Sequence, residues 1–292
     1  MISPELKQAL ESELSSSLDT ECKIEGSNSI GGGCINQAAR IKTNLGDFFI
    51  KWNLADAFPK MFDNEKLGLE ILHDTNEIHI PKPIATGKIN NTSFIVLEYV
   101  ESSNQQNDFS ENFGRALANL HKHTNDLFGL NHDNYIGSLP QFNDRRDSWP
   151  TFFIEERLER QVQMAIVVGK IPNQTVEQFH ELYKLIPNIF PDEPPALLHG
   201  DLWSGNYMIN KDGQACIMDP AVYYGSREAE IAFTKLFGGF DLTFYASYNE
   251  VFPLQTGYEE RIDLLNLYPL MVHVNLFGGG YLGQVQSILS RF

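Results

Sequence analysis

The sequence predicts an α+β chain in two lobes, a small β-rich N-lobe over residues 1–101 and a larger, mainly helical C-lobe over 102–292. Three observations predict it. Strand-like runs alternate with turn signals through the first hundred residues. A polar stretch at 101–110, ESSNQQNDFS, holds a single large apolar residue, Phe109, and reads as a hinge. Beyond it, apolar residues recur at helical spacing nearly to the end.

The elements follow in order. MISPELKQALESELSS is an acidic amphipathic helix, and it lacks the basic and apolar regions of a signal peptide. CKIEGSNSI is a strand, GGGCINQ a turn, AARIKT a strand, NLGD a hairpin turn and FFIKWN a third strand. In AFPKMFDNEKLGLEILHDT, apolar Met61, Phe62, Leu67, Leu69, Ile71 and Leu72 alternate with charges at helical spacing. PKPIATGKIN and the strand TSFIVLEYV complete the lobe. The second lobe opens with the helix FGRALANLHKHT, then the long helix WPTFFIEERLERQVQMAIVVG, whose Pro150 suits a first turn. TVEQFHELYKLIPNIF is another helix. PDEPPALLHGDLWSGNYMINKDGQACIMDPA reads strand, loop, strand, turn, strand, with KDG as the hairpin signal. The tail is helical, broken at FGGF, FPLQTGY and FGGGY, and the last of these reads as close helix packing through glycine. The layout is that of protein-kinase-like folds.

Composition narrows the partners. Lys plus Arg is 22 against 38 Asp plus Glu, a formal charge of −16, which argues against nucleic acid or an anionic membrane as partner. The three cysteines, Cys22, Cys34 and Cys216, form no CxxC pair, so neither a disulfide framework nor a structural zinc site is expected. No apolar run is long enough to span a bilayer. The expectation is a reduced, cytoplasmic protein, a monomer or weak dimer.

Phosphoryl transfer from ATP needs a cation near the phosphates, an acid to hold it, oxygen ligands for Mg²⁺ and a base for the acceptor hydroxyl. Lys51 closes FFIK, where a cation on the third strand belongs, and Glu65 follows fourteen residues later on the predicted helix. Asp63 and Glu70 compete with Glu65, and an isolated surface lysine is the alternative for Lys51. Asp201 in HGDLWSGN is the candidate base. Asn206 follows with four residues between, as in the kinase HRDxxxxN pattern. Asn206 and Asp219 supply the oxygen donors that magnesium prefers. His199 is structural and orients Asp201. DPA stands where protein kinases have DFG, so no activation-loop switching is expected. Gly31, Gly32 and Gly33 form a turn ahead of Lys51, where bare backbone amides approach phosphate. Cys34 on that turn reads as a small strand residue. Adenine is expected against backbone groups of Glu98 and Val100.

These segments carry a resemblance. GGGCIN, FIKWN, MFDNEKLGLEIL, FGLNHDNYIGSLPQ, WPTFFIEERLERQ, LLHGDLWSGN, MDPAVYYGSREAEIAFTKLFGGF and the run from FPLQTGY to LFGGGYLGQV resemble the fructosamine kinase (ketosamine-3-kinase) family over most of the chain. Trp203 and DPAVYYGSRE separate that family from aminoglycoside and choline kinases, the alternative class. The resemblance implies transfer of the ATP γ-phosphate to the sugar 3-hydroxyl of ketoamines, free or protein-bound, after which the phosphorylated adduct falls apart, a deglycation. It implies Asp201 as base, Asn206 and Asp219 as magnesium ligands, Lys51 with Glu65 as phosphate-positioning pair and Gly31 to Gly33 as nucleotide loop. Two positions depart: Arg145 stands where the family has Trp, and Ser226 where it often has His or Asp. Trp203, Tyr223, Tyr224, Asp133 and Asn134 are substrate-side candidates. An aromatic face there stacks on a sugar or packs the loop. Arg227 and Glu230 read as a salt bridge or loop anchor.

Overall fold

The computed structural model describes residues 2–31 and 35–292. In chain order the elements are α1 (Pro4–Ser17), β1 (Ile24–Ile30), β2 (Gln37–Thr43), β3 (Gly46–Leu54), α2 (Met61–His73), β4 (Pro83–Ile89), β5 (Thr92–Glu98), α3 (Phe109–Leu120), β6 (Asn134–Ile136) and β7 (Leu139–Gln141). Then come α4 (Trp149–Phe152), a π-helical turn (Phe153–Leu158), α5 (Glu159–Val167), α6 (Asn173–Leu185), β8 (Ala196–Leu198), β9 (Tyr207–Ile209), β10 (Ala215–Ile217), β11 (Tyr223–Gly225), α7 (Arg227–Leu236), α8 (Leu242–Val251), α9 (Tyr258–Leu265), α10 (Leu267–Phe277) and α11 (Tyr281–Leu289). Among the described residues, no helix is long and apolar enough to cross a membrane.

The chain divides into two compact units, Met1–Asn107 with Met208–Asp219, and Asp108–Tyr207 with Pro220–Phe292. The sequence division at 101/102 differs because residues 208–219 return to the first unit. Ser103 N donates to Ile209 O at 3.1 Å and Ile217 N to His79 O at 3.1 Å, tying the β9–β10 hairpin there.

The first unit is a five-stranded antiparallel sheet in the order β1-β2-β3-β5-β4. Leu6, Leu10 and Leu14, one stripe of α1, are buried with Ile41, Ile50 and Val96 of the sheet. Ser3 caps α1 by accepting from Leu6 N at 3.2 Å. Two donors near the start of β1 are also answered from α1, Ile24 N by Glu11 Oε1 at 2.8 Å and Cys22 N by Ser15 Oγ at 2.9 Å.

The second unit is helical around a core that includes Phe152, Phe179, Leu198 and Met271. The helix predicted from Trp149 is interrupted by its π-helical turn, a feature that recurs near functional sites. FGGGY corrects the sequence reading: an added Cβ at Gly278, Gly279 or Gly280 meets no atom within 4 Å. These glycines do not mediate packing. Gly278 and Gly279 take φ of 67° and 65°, a left-handed turn between α10 and α11 that glycine adopts without penalty. Close approach occurs instead at Gly114 on α3, where a Cβ would lie 2.2 Å from Phe244 O of α8.

Gly114→Ala is therefore expected to destabilise the protein by about 1–3 kcal/mol through overpacking. Urea unfolding checks it, and a midpoint equal to wild type contradicts the contact.

Candidate active site

In the first unit, Lys51 on β3 sits between two carboxylates. Its Nζ pairs with Glu65 of α2 and with Asp219 Oδ1, the latter at 2.7 Å. The Lys51 side chain is 6% exposed, Glu65 10% and Asp219 52%, so the ammonium is enclosed while Asp219 keeps contact with solvent. Burial disfavours the ammonium, but Asp219 and Glu65 outweigh it and push the Lys51 pKa above its ordinary value. Asp219 holds a positive φ of 57° immediately before Pro220, a conformation costing a non-glycine residue about 1–2 kcal/mol.

Other first-unit candidates stand apart from this trio. The Glu98 N–H donates to Lys82 O at 2.8 Å, and Glu98 Oε2 accepts from Lys82 N at 3.3 Å. That N–H is engaged within the first unit. Val100 is half-buried just beyond β5. Gly31 is exposed, with nothing within 4 Å of an added Cβ. Gly32, Gly33 and Cys34 lie outside the described residues. The other two thiols, Cys22 and Cys216, are buried and unpaired, and burial pushes Cys216 up to about 12.

In the second unit, the loop after β8 carries Asp201. The Asn206 amide nitrogen donates to Asp201 O at 2.8 Å and to Asp201 Oδ2 at 2.9 Å. Both acceptors are oxygens, so the amide must present its nitrogen and turn Oδ1 away. Asp201 N donates to His199 Nδ1 at 3.3 Å, so His199 anchors the Asp201 main chain. Gly200 takes φ of 84°, and a Cβ there would lie 2.0 Å from Ala221 O. No other residue fits. Trp203 is 38% exposed, its ring edge-on to Phe237 at 6.4 Å. A Cβ on Gly205 would meet the Trp203 ring at 2.4 Å, so the glycine lets the indole fold over the loop.

Glu230 of α7 clamps this loop. It is 3% exposed and accepts from Gly200 N at 2.6 Å and His199 N at 3.0 Å. Its Oε2 also lies 2.9 Å from His121 Nε2, while His121 Nδ1 lies 2.8 Å from the Tyr248 hydroxyl. Burial opposes ionisation of Glu230, but the hydrogen bonds to His121 and the loop outweigh it and hold its pKa below the ordinary value. Arg227, its neighbour, pairs with Glu193 at 2.6 Å and donates to Phe252 O at 2.8 Å.

A cavity of about 500 Å³, open mouth included, lies beside Asp201 and Gly200. Tyr223, Tyr268, Phe233 and His273 are among the residues that line it. Two substrate-side candidates, Tyr224 and Asn134, are not among the residues that line this cavity. Alternation along β11 puts Tyr223 on the cavity wall and Tyr224 on the opposite face. Asn134 is 6% exposed and its amide is engaged by protein: Nδ2 donates to Val222 O at 2.8 Å, and Oδ1 accepts from Gln141 and Asn143. Asp133 Oδ1 likewise accepts from Asn143 N at 2.9 Å. Sequence reading missed Tyr268, His273 and His121, because single residues on helical patterns give no signal of what they face.

The fold is that of small-molecule phosphotransferases: an aminoglycoside phosphotransferase 14% identical superposes with a TM-score of 0.59 over 96% of this chain and 98% of its own. The fructosamine kinase model matches residues 6–292, and the chain belongs to that family. A protein described as a ketoamine kinase from Synechocystis is 39% identical over 99% of this chain and 97% of its own. A chloroplastic protein-ribulosamine 3-kinase from Oryza sativa is 41% identical over 92% of this chain and 79% of its own. Among solved structures, one assigned as a fructosamine-3-kinase from Haemophilus somnus has a TM-score of 0.88 at 28% identity, over 97% of this chain and 96% of that one. The protein is accordingly a kinase of the ketosamine class.

Two outcomes follow for the buried charges. Lys51→Met leaves Glu65 buried without its cation. Calorimetry should show nucleotide affinity falling at least about tenfold, and unfolding should show a loss of about 3–5 kcal/mol. For Glu230, the folded pKa is depressed, so its contribution is present above the unfolded value and lost as pH falls through the folded one. Stability measured from pH 6 downward should fall less steeply in Glu230→Gln than in wild type (~pH range set by carboxylate titration). Parallel curves would remove Glu230 from the linkage.

Proposed function

We propose that this kinase uses ATP and Mg²⁺ to phosphorylate the 3-hydroxyl of a sugar-derived ketoamine, of the fructosamine or ribulosamine type. The observation that carries the reading is Asp201, pinned by Asn206 at the edge of a cavity with aromatic walls. Asp201 is the base: it accepts the proton of the 3-hydroxyl as that oxygen bonds to the γ-phosphorus and ADP leaves. Tyr223 and Tyr268 offer ring faces to the carbon skeleton of the acceptor. Trp203, exposed on the same loop, is proposed as a further acceptor contact. Tyr224 and Asn134 are not part of this acceptor surface.

Lys51, held by Glu65, is the phosphate-positioning cation. Gly31 to Gly33 and the main chain at Glu98 and Val100 are assigned to the nucleotide. The donors suit a hard divalent cation: the Asn206 amide turns its oxygen away from Asp201, and the Asp219 carboxylate is half exposed. Magnesium bound there would neutralise charge on the transferred phosphoryl group. The phosphorylated ketoamine then breaks down to free the amine, a deglycation. The three scattered cysteines support a reducing compartment such as the cytoplasm, and a monomer or weak dimer is proposed.

The test is ATP consumption with fructosamine, ribulosamine and erythrulosamine adducts, and with an aminoglycoside and choline as controls. Only the ketoamines should turn over, with the phosphate on the 3-oxygen by NMR. Asp201→Asn should abolish transfer while nucleotide binding survives, a loss of at least about 10²–10⁴-fold. Wild-type turnover in that variant rules out Asp201 as the base.

A further inference from the structure

Behind the wall of the cavity lies a chain of buried polar side chains that the proposed reaction does not use. Arg157, on the π-helical turn, is 0% exposed. Its Nη2 donates to Asn143 Oδ1 at 2.8 Å, and its Nη1 to Phe142 O at 2.5 Å. Its guanidinium carbon lies 4.0 Å from the Tyr223 ring centroid and 5.3 Å from that of Tyr268. Asn143 Nδ2 passes the chain on to Asn134 Oδ1 at 3.1 Å, and Asn134 Nδ2 to Val222 O at 2.8 Å.

A second branch starts in the cavity wall. The Tyr268 hydroxyl donates to Gln141 Oε1 at 2.6 Å. Gln141 Nε2 donates to Asn134 Oδ1 at 2.8 Å and to Ala221 O at 3.0 Å. Every amide orientation is dictated, since arginine can only donate and the carbonyls of Ala221 and Val222 can only accept. Both branches end on those two carbonyls. Ala221 O is also the atom against which Gly200 presses, and Ala221 N donates to His199 O at 2.9 Å.

We propose that Gln141 is a positioning residue: it couples Tyr268 in the cavity wall to the Ala221 main chain, which sets the place of Gly200 and Asp201. A buried amide at this junction is costly to leave half-paired, and an apolar core would be simpler to build. It is the only side chain described as bonding both the wall and Ala221 O. Displacement of Ala221 O is passed directly to the loop, because no space separates it from Gly200. The acceptor side of this assignment rests on the reading of the cavity as the ketoamine site.

The test compares Gln141→Met, Tyr268→Phe and the double variant. Gln141→Met preserves volume and removes every bond of the amide. Its kcat with a ketoamine should fall on the order of 100-fold, with the KM for ATP unchanged. Tyr268→Phe, a milder change, should raise the ketoamine KM several-fold and leave the KM for ATP alone. In the double variant the orphaned hydroxyl is gone, so the melting midpoint should recover toward wild type while kcat stays low. Recovery of kcat together with the midpoint would show a merely structural role and overturn the proposal. So would an ATP KM that rises as much as kcat falls, or a Gln141→Met variant that folds and turns over like wild type. If Gln141→Met does not fold, the double variant, freed of the orphaned hydroxyl, decides: a kcat well below that of Tyr268→Phe with an unchanged ATP KM supports the role, and a kcat equal to that of Tyr268→Phe overturns it. Slow ATP hydrolysis by water, measured without acceptor, separates the two readings. A wild type inert toward every ketoamine refutes the substrate, whereas a hydrolysis rate that drops in Gln141→Met still supports the positioning role, and an unchanged rate opposes it.

Discussion

Glu230 is a carboxylate removed from water, and the loop that carries Asp201 hangs from it. Its acceptors meet the N–H groups of His199 and Gly200 and the Nε2 of His121. A buried carboxylate without such donors would protonate or unfold the region around it. The dependence runs both ways. Without the carboxylate, two main-chain N–H groups in a tight turn would lose their partners, each at a cost of about 1–3 kcal/mol. The turn also confines Gly200 to a left-handed backbone beside Ala221. Clamp, glycine and carbonyl together leave the main chain before Asp201 little freedom, as the role of base proposed for Asp201 would require.

The first unit solves a different electrostatic problem. One ammonium, Lys51, faces two carboxylates, Glu65 and Asp219, so the trio is net negative. A triphosphate is also strongly negative, and the whole chain carries a formal charge of −16. Lysine alone cannot make such a place attractive to a nucleotide. The divalent cation proposed at Asp219 would reverse the sign locally, and its hardness would match carboxylate oxygen. On the proposed reading the two acids divide the work: Glu65, enclosed, fixes the lysine, and Asp219, half exposed, is open to a cation.

The strands, the helical second unit and the Lys51–Glu65 pair were legible in the sequence, because each leaves a pattern. Strands and helices show their periods, and the lysine and its acid follow in chain order on strand and helix; the pairing of Lys51 with Asp219 leaves no such mark. What was not legible depends on direction or on unpatterned polar contacts. Tyr223 and Tyr224 are adjacent and chemically alike, and only the phase of β11 puts the first on the cavity. Asn134 looked available for a hydroxyl, yet its amide is surrounded by donors and acceptors from Gln141, Asn143 and Val222. Arg157 lies in the charge-rich run EERLERQ of the long predicted helix and is fully buried. FGGGY failed for a related reason: glycine serves close packing and positive φ equally, and the letters do not say which.

The segment after Asp219 differs in kind from a switch. Where protein kinases have Phe and then Gly after the Asp, this chain has Pro220 and then Ala221. Proline fixes its own φ near −65° and removes an N–H, so the turn has one less degree of freedom. Ala221 is held by His199 O on its N–H side and by Gln141 on its carbonyl. Val222 O is held by Asn134, and Tyr224 exchanges both main-chain bonds with Gly129 at 2.8 and 3.0 Å. A swing of this segment would break all of these bonds at once, each worth about 0.5–1.5 kcal/mol net, and would expose the carbonyls to an apolar interior. The bracing of residues 221–224 therefore opposes a swing of this segment and holds the Ala221 carbonyl against Gly200.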